Sequence, residues 1–308
     1  RGLNIPIISQ LTLPAPWFGG GLGPYDDIAN LDIKARDDYC PNYNVGLLWE
    51  PYNWFAFGLC YQSEVKMEQQ GSYKFSYGED FQRMVSWMGS SPLLLAISGI
   101  LDLPYKSVPY QEGSVYMEGM DSPQRVQAGI MLRPIKRLRL MCDVHWIDYS
   151  EAKEWTITFD QDIQPLMISK FMGHADGDRT LTITRAMQDE THFSFGAELQ
   201  TFDWLFLRCG YEDRKTSVNW DYFDLMAPVP DLDYYGVGMG IHLKDGLKID
   251  LAAGFLTSDT WEVPSNTSKN LNSTDFTEAV YNPYGGLDVS GKMEATILAA
   301  NFSMPFKY

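Results

Sequence analysis

Arg125–Trp146, RVQAGIMLRPIKRLRLMCDVHW, reads as two strands joined by a turn. Val126, Ala128, Ile130 and Leu132 alternate with Arg125, Gln127, Gly129 and Met131, a period of two that belongs to a strand whose faces meet different surroundings. After the short turn at Pro134–Lys136 the alternation resumes, with Leu138, Leu140, Cys142, Val144 and Trp146 against Arg139, Met141, Asp143 and His145. Each arm is apolar on one side and polar on the other.

The same pattern extends outward in both directions. Upstream, Phe55, Phe57, Leu59, Tyr61 and Val65 oppose Gly58, Cys60, Gln62, Glu64 and Lys66, and Tyr43–Glu50 reads as a strand before them. Downstream, Phe193, Phe195, Ala197 and Leu199 form one apolar side, and Leu205, Leu207, Cys209 and Tyr211 another. Tyr235, Val237, Met239 and Ile241 oppose Gly236, Gly238, Gly240 and His242; Leu247, Ile249, Leu251, Ala253 and Phe255 follow the Lys244–Gly246 turn. The last run places Leu298, Ala300, Phe302, Met304, Phe306 and Tyr308 together. About nine strands result, several longer than the five or six residues usual in soluble sheets.

Tight turns fall at Pro51–Asn53, Pro134–Lys136, Thr201–Asp203 and Lys244–Gly246, whereas the connections near 77–111, 161–176, 218–230 and 262–286 are long. Short turns at one rim and long loops at the other mark an outer-membrane barrel, with the loops outside the cell. In hydrocarbon every backbone group must be paired, so strands cross lipid only as a closed barrel with apolar side chains outward and polar ones in the lumen. Aromatic groups at strand ends, Trp49/Tyr52/Trp54, Trp146/Tyr149/Trp155 and Trp204/Tyr211, suit interfacial girdles. The expected fold is all-β, an antiparallel transmembrane β-barrel of outer-membrane type, instead of a large soluble sandwich.

Composition removes other classes. With 24 Lys+Arg against 40 Asp+Glu the formal charge is −16, which repels nucleic acid. Aromatic residues at 14% argue against a disordered chain. Met84–Leu101 is uncharged but interrupted by Ser, Gly and Pro, so a membrane-spanning helix is not expected. Cys40, Cys60, Cys142 and Cys209 have neither zinc spacing nor the density of a disulfide scaffold.

Several motifs in order carry a family resemblance. Tyr43–Glu50 followed by Tyr61-Gln62-Ser63-Glu64-Val65-Lys66 resembles consecutive strands with the Tyr-x-Ser-x-Val-Lys signature of the FadL/TodX family of outer-membrane fatty-acid and hydrocarbon transporters. Asp121–Val126 through Trp146–Ser150 is similar to that family's next hairpin, and Arg208–Asp213 and Pro228–Asp231 resemble the strand and Pro-Asp loop after it. The aromatic end at Phe306 and Tyr308 fits as well. The resemblance covers roughly residues 42–308. It implies passive transport of hydrophobic small molecules across the outer membrane of a Gram-negative bacterium, in a 14-stranded barrel plugged by an N-terminal hatch with an Asn-Pro-Ala motif. Neither the hatch nor the first strands are found here. The chain is therefore expected to be the C-terminal part of such a barrel, with residues 1–41 the end of an extracellular loop region, and its partners include the absent N-terminal strands and hatch.

Transport of this kind requires no catalytic group, cofactor or metal, because capture is driven by removing alkyl surface from water. Within the apolar loop 77–111, Trp87, Met88, Leu93, Leu94, Leu95, Ile97, Ile100 and Leu101 form an apolar island, the expected capture surface or a greasy lid over the barrel mouth. On the polar face Arg125, Arg139, His145, Arg208, Glu212 and Lys248 are expected to line the lumen, where pairing with Glu64, Asp143, Glu198 or Asp250 competes with ligand contact. Gly236, Gly238 and Gly240 leave one inward strip bare, to widen a pocket or admit another backbone. Loop carboxylates, among them Glu79, Asp80, Asp224, Asp231, Asp233, Asp259 and Glu262, read as a solvated surface that meets outer-membrane lipid and lipopolysaccharide. The alternative function is an outer-membrane hydrolase acting on lipid, for which only Asp143 with His145 and His174 with Asp176 offer any pairing.

Overall fold

The computed structural model describes residues 2–3, 27–171, 175, 177–223, 229–243, 246–269, 272–274 and 284–305. Phe306, Tyr308, His174, Asp176, Asp224, Pro228, Lys244 and Asp245 lie outside the described residues. Nine strands form one antiparallel sheet in the order β17-β14-β13-β12-β11-β8-β7-β4-β3. They are β3 (Asn44–Tyr52), β4 (Phe55–Gln62), β7 (Arg125–Ile135), β8 (Leu138–Ile147), β11 (Glu190–Phe202), β12 (Leu205–Arg214), β13 (Leu232–His242), β14 (Lys248–Thr257) and β17 (Glu294–Ser303). Their lengths, 8 to 13 residues, match the roughly 9–11 needed to cross a bilayer at a tilt. Among the described residues no helix is long and apolar enough to cross a membrane.

Register joins the alternating patterns into one surface. Val45 pairs with Tyr61, Tyr61 with Val126, and Val126 with Trp146; Val144 pairs with Phe193, and Cys142 with Phe195. The line continues from Phe195 to Tyr211, Tyr235 and Phe255. A one-residue slip in any strand would turn its apolar side chains to the other face, so the apolar pattern fixes the pairing. The opposite face carries the arginines, histidines and glycines.

A second sheet, which alternation alone did not reveal, has the order β1-β2-β5-β6-β9-β10. Its elements are β1 (Gly2–Leu3), β2 (Ala29–Arg36), β5 (Gln69–Tyr77), β6 (Tyr110–Glu118), β9 (Glu154–Phe159) and β10 (Thr180–Thr184). It continues the barrel hairpins beyond their long-loop ends: β4 pairs with β7 and then β5 with β6, and β8 pairs with β11 and then β9 with β10. Helices α1 (Glu79–Met88), α2 (Pro92–Ile100) and α3 (Gln164–Phe171) lie in the connections of this layer. Its apolar face, with Tyr73, Phe75, Val115, Ile157 and Leu181, forms a buried core with Phe81 and Val85 of α1 and Leu166 and Ile168 of α3. Trp155 belongs to this layer, packed on the core with the Arg185 guanidinium 4.5 Å above its ring, and so is not part of an interfacial girdle.

A third small unit pairs β15 (Trp261–Val263) with β16 (Val289–Gly291), and buries Trp261 and Val263 against Val218 and Phe223. At the opposite rim aromatic rings gather around the tight turns. There Tyr52 stacks on Trp54 at 5.6 Å and Phe202 on Trp204 at 5.7 Å.

Candidate functional site

The apolar island folds into α1 and α2. Acidic Glu79 and Asp80 occupy the first turn of α1, where they favour the helix dipole, and Phe81, Met84 and Val85 anchor it in the core. α2 starts cleanly: Ser91 caps it by accepting from the Leu94 amide at 3.2 Å, and Pro92 takes the first turn, where its missing N–H costs nothing. Buried Ser98 donates to the Met88 carbonyl at 3.4 Å and ties α2 to the end of α1. That attachment leaves the outer stripe of α2 in solvent. Leu93 is 70% and Ile100 81% exposed, with Leu95, Ile97 and Leu101 exposed between and beside them. Trp87, Met88 and Leu94 are half-buried, so the eight expected residues split into an exposed stripe and a supporting base.

On the polar face of the nine-stranded sheet the charges are mostly paired with one another. Arg139 donates to Glu198 at 2.8 Å; Arg208 donates to the other oxygen of Glu198 at 2.8 Å and to Asp250 at 2.7 Å. This chain runs across β8, β11, β12 and β14 and passes over β13. It can do so because a Cβ on Gly240 would lie 2.8 Å from the Asp250 carboxylate and 3.1 Å from the Arg208 guanidinium. The bare glycine thus admits an ion pair; it does not widen a pocket at that point.

Nearer the long-loop end, His145 stacks on His192 with ring centres 4.8 Å apart. His192 Nε2 lies 3.1 Å from Glu212, which also accepts from Arg214 at 2.6 Å. Arg125 and Lys248 make no ion pair among the described residues, and the Arg125 Nε is buried without a hydrogen bond. His145 Nε2 is 3.2 Å from the Ser194 hydroxyl, among the described residues the one contact resembling a hydrolase pair. Yet Asp143 makes no bond to His145, and β11 pairs with β8 and β12 along both sides, so no free amides remain near Ser194 to hold an oxyanion.

Carboxylates between the layers have a role that sequence reading missed. Asp121 accepts from the Met67 amide at 2.7 Å, Asp189 from Ser150 at 3.0 Å and Asp231 from Thr216 at 2.7 Å. Asp37 accepts from Tyr39 at 2.9 Å and Glu68 at 3.0 Å, and these amides hold its carboxyl below the usual carboxylate range. They satisfy backbone donors where strands break between the layers. An Asp close to the end of an alternating run, as Asp37 directly after β2 and Asp189 and Asp231 directly before β11 and β13, was the available signal.

A family model described as outer membrane protein transport protein (OMPP1/FadL/TodX) matches residues 8–306. No curated protein sequence matches the chain. The crystal structure of a Pseudomonas aeruginosa FadL homologue is similar over 93% of this chain and 56% of its own, with TM-score 0.61 and 17% identity. A TodX deletion mutant described as a monoaromatic hydrocarbon channel is similar over 90% of this chain and 54% of its own, with TM-score 0.54 and 12% identity. The P. putida toluene transporter TodX gives TM-score 0.51 at 12% identity, over 91% of this chain and 54% of its own. The chain thus spans little more than half the length of these transporters and channels, and what it has in common with them is the fold.

Proposed function

The chain belongs to the OMPP1/FadL/TodX family of outer-membrane transport proteins of Gram-negative bacteria, and on that footing we propose that it carries hydrophobic small molecules, long-chain fatty acids or hydrocarbons, passively through the barrel. The observation that carries this reading is the exposed stripe of α2. Leu93, Ile97 and Ile100 recur at helical spacing and stand in solvent, in a segment without a charge from Met84 to Leu101. Apolar surface of that kind marks a ligand, partner or lipid contact. A molecule captured there leaves water, at a gain of about 0.8 kcal/mol per buried CH₂. From there it enters the space bounded by the polar face, where most charges already have partners and compete little for it.

Replacing Leu93, Ile97 and Ile100 together with Ser tests the reading. Affinity for a fatty-acid or hydrocarbon probe should fall by about 1.5–3 kcal/mol for each side chain fully engaged. Barrel folding, read as heat-modifiable gel mobility, should be unchanged because none of these side chains belongs to the buried core. Unaltered binding and uptake would overturn α2 as the capture surface.

A further inference from the structure

The turn between β7 and β8 carries charge that its backbone does not call for. Ile135 pairs with Leu138, which leaves Lys136 and Arg137 alone at the tip. Two-residue hairpin turns favour Asn and Gly, whose backbones bend most freely, so nothing in the local geometry selects two long cations. Arg133 and Arg139 flank them, and the seven residues Arg133–Arg139 hold four basic groups and no acid in a chain whose formal charge is −16. Arg139 is engaged by Glu198. Lys136 stands exposed and makes no ion pair among the described residues. Arg137 donates to the Thr201 carbonyl at 3.4 Å and to the Asp203 carboxylate at 2.9 Å, but Asp203 is 89% exposed, and an ion pair so open to water holds its arginine weakly.

The surroundings put this tip at the edge of the hydrocarbon. The lipid-facing side of the same two strands continues up to the turn, with Leu132, Ile135 and Leu140 exposed. In the sheet the neighbouring turns lie on either side, one with Tyr52 stacked on Trp54 and the other with Phe202 stacked on Trp204. Both are tied to the basic hairpin: the Arg133 amide donates to the Trp54 carbonyl at 2.7 Å, and the Gln200 amide to the Arg137 carbonyl at 2.8 Å. Exposed indole and phenol rings beside an apolar belt belong at the depth of lipid headgroups. The hairpin has a paired neighbour on each side, β4 and β11, so its place at the rim does not depend on the strands expected to complete the barrel.

We propose that the β7–β8 turn docks the phosphate of an anionic phospholipid in the periplasmic leaflet, with Lys136 and Arg137 as the receiving cations. The rim of short turns faces the periplasm, where the leaflet is phospholipid and its phosphates are the anions at the depth of the aromatic rings. Arginine meets a phosphate with two parallel N–H bonds, and lysine meets it with a compact point charge. The phosphate takes Arg137 in exchange for Asp203, which water keeps solvated once released. Such a contact sets the depth and tilt of the wall in the bilayer. It is independent of α2 and of what the barrel carries.

The test uses full-length protein with its native cysteines replaced and one fluorophore at Asn53→Cys, an exposed position in the neighbouring turn. In phosphatidylcholine vesicles, quenching by nitroxide-labelled phosphatidylglycerol is compared with quenching by equally labelled phosphatidylcholine. The protein should prefer phosphatidylglycerol by about fivefold for each cation engaged, the factor that one Lys or Arg contributes at an anionic surface. Lys136→Gln should remove one such factor, and Lys136→Gln with Arg137→Gln should bring the two lipids to parity. Asp203→Asn frees Arg137 of its competitor and should raise the preference, a response that a merely structural turn would not give. Equal quenching by both lipids in the otherwise native protein overturns the proposal, as does a preference that survives the double substitution in protein of normal heat-modifiable mobility. Lys136→Gln alone, at the exposed tip, decides the matter if the double variant does not fold. Inorganic phosphate that abolishes the preference, where chloride of the same ionic strength leaves it intact, would assign the turn to a soluble anion and overturn the lipid assignment as well.

Discussion

Gly240 is bare where the Arg208 guanidinium crosses β13 to reach Asp250. Arginine and acid on the same face were legible as partners from alternation alone. Which ones meet was not, because a pair that skips a strand depends on the glycine between them. His192 belongs with His145 and Glu212 for the same reason: cross-strand register, absent from a linear pattern, stacks the rings. A Gly240→Val substitution should force Arg208 off Asp250. With Arg208 and Asp250 38% and 31% exposed, water screens the pair, and the expected loss of stability is about 1 kcal/mol, read from the urea midpoint of unfolding. Arg208→Lys should lose less, keeping the charge but not the forked contact with both Glu198 and Asp250.

Phe75 stands in the middle of the layer that extends the barrel hairpins, 1% exposed and edge-on to Phe159 at 5.2 Å. The strand it belongs to does alternate, with Tyr73, Phe75 and Tyr77 against Ser72, Lys74 and Ser76, but at a polarity that resembles a loop beside the lipid-facing runs. Nine membrane strands were therefore readable and the second sheet was not. Its strands are interrupted from the first set by irregular residues, such as 63–68, where the amides of Ser63, Val65, Met67 and Glu68 donate to Tyr43, Ser122, Asp121 and Asp37 in turn instead of to one continuous ladder. The island at 84–101 was readable as apolar, yet only the packing of Phe81, Met84 and Val85 shows which part is anchor and which part is free. Phe75→Ala should cost this layer about 3–5 kcal/mol through lost burial and the cavity left behind. Protease should then cut within 77–111 and 161–176 far faster, while the mobility of the membrane sheet stays native. Equal resistance in both proteins would mean that the layer is held by the barrel and not by its own core.

Nine strands in unbroken order make a wall with two open margins, β3 and β17, whose residues are exposed along nearly their whole length in contrast to the strands between them. In a bilayer unpaired strand edges are prohibitive, so further strands must meet both margins, and the expected N-terminal strands of the same polypeptide are our proposal for them. The faces of the wall need no such addition to be defined. Apolar register runs from Val45 to Phe302 across all nine strands, and lipid is the one solvent that suits a face on which Leu59, Ile130, Phe195, Val237 and Leu298 all stand exposed. Spin labels at Leu59 and Gln62 in the full-length protein, with the native cysteines replaced, put this to measurement. Oxygen dissolved in lipid should relax the label at 59, and a water-soluble relaxation agent the label at 62. These positions are on opposite faces of β4, so a register slip of one residue would exchange the two results. Labels that both report water would show that this face stands in water, and the membrane orientation of the sheet would fall with it.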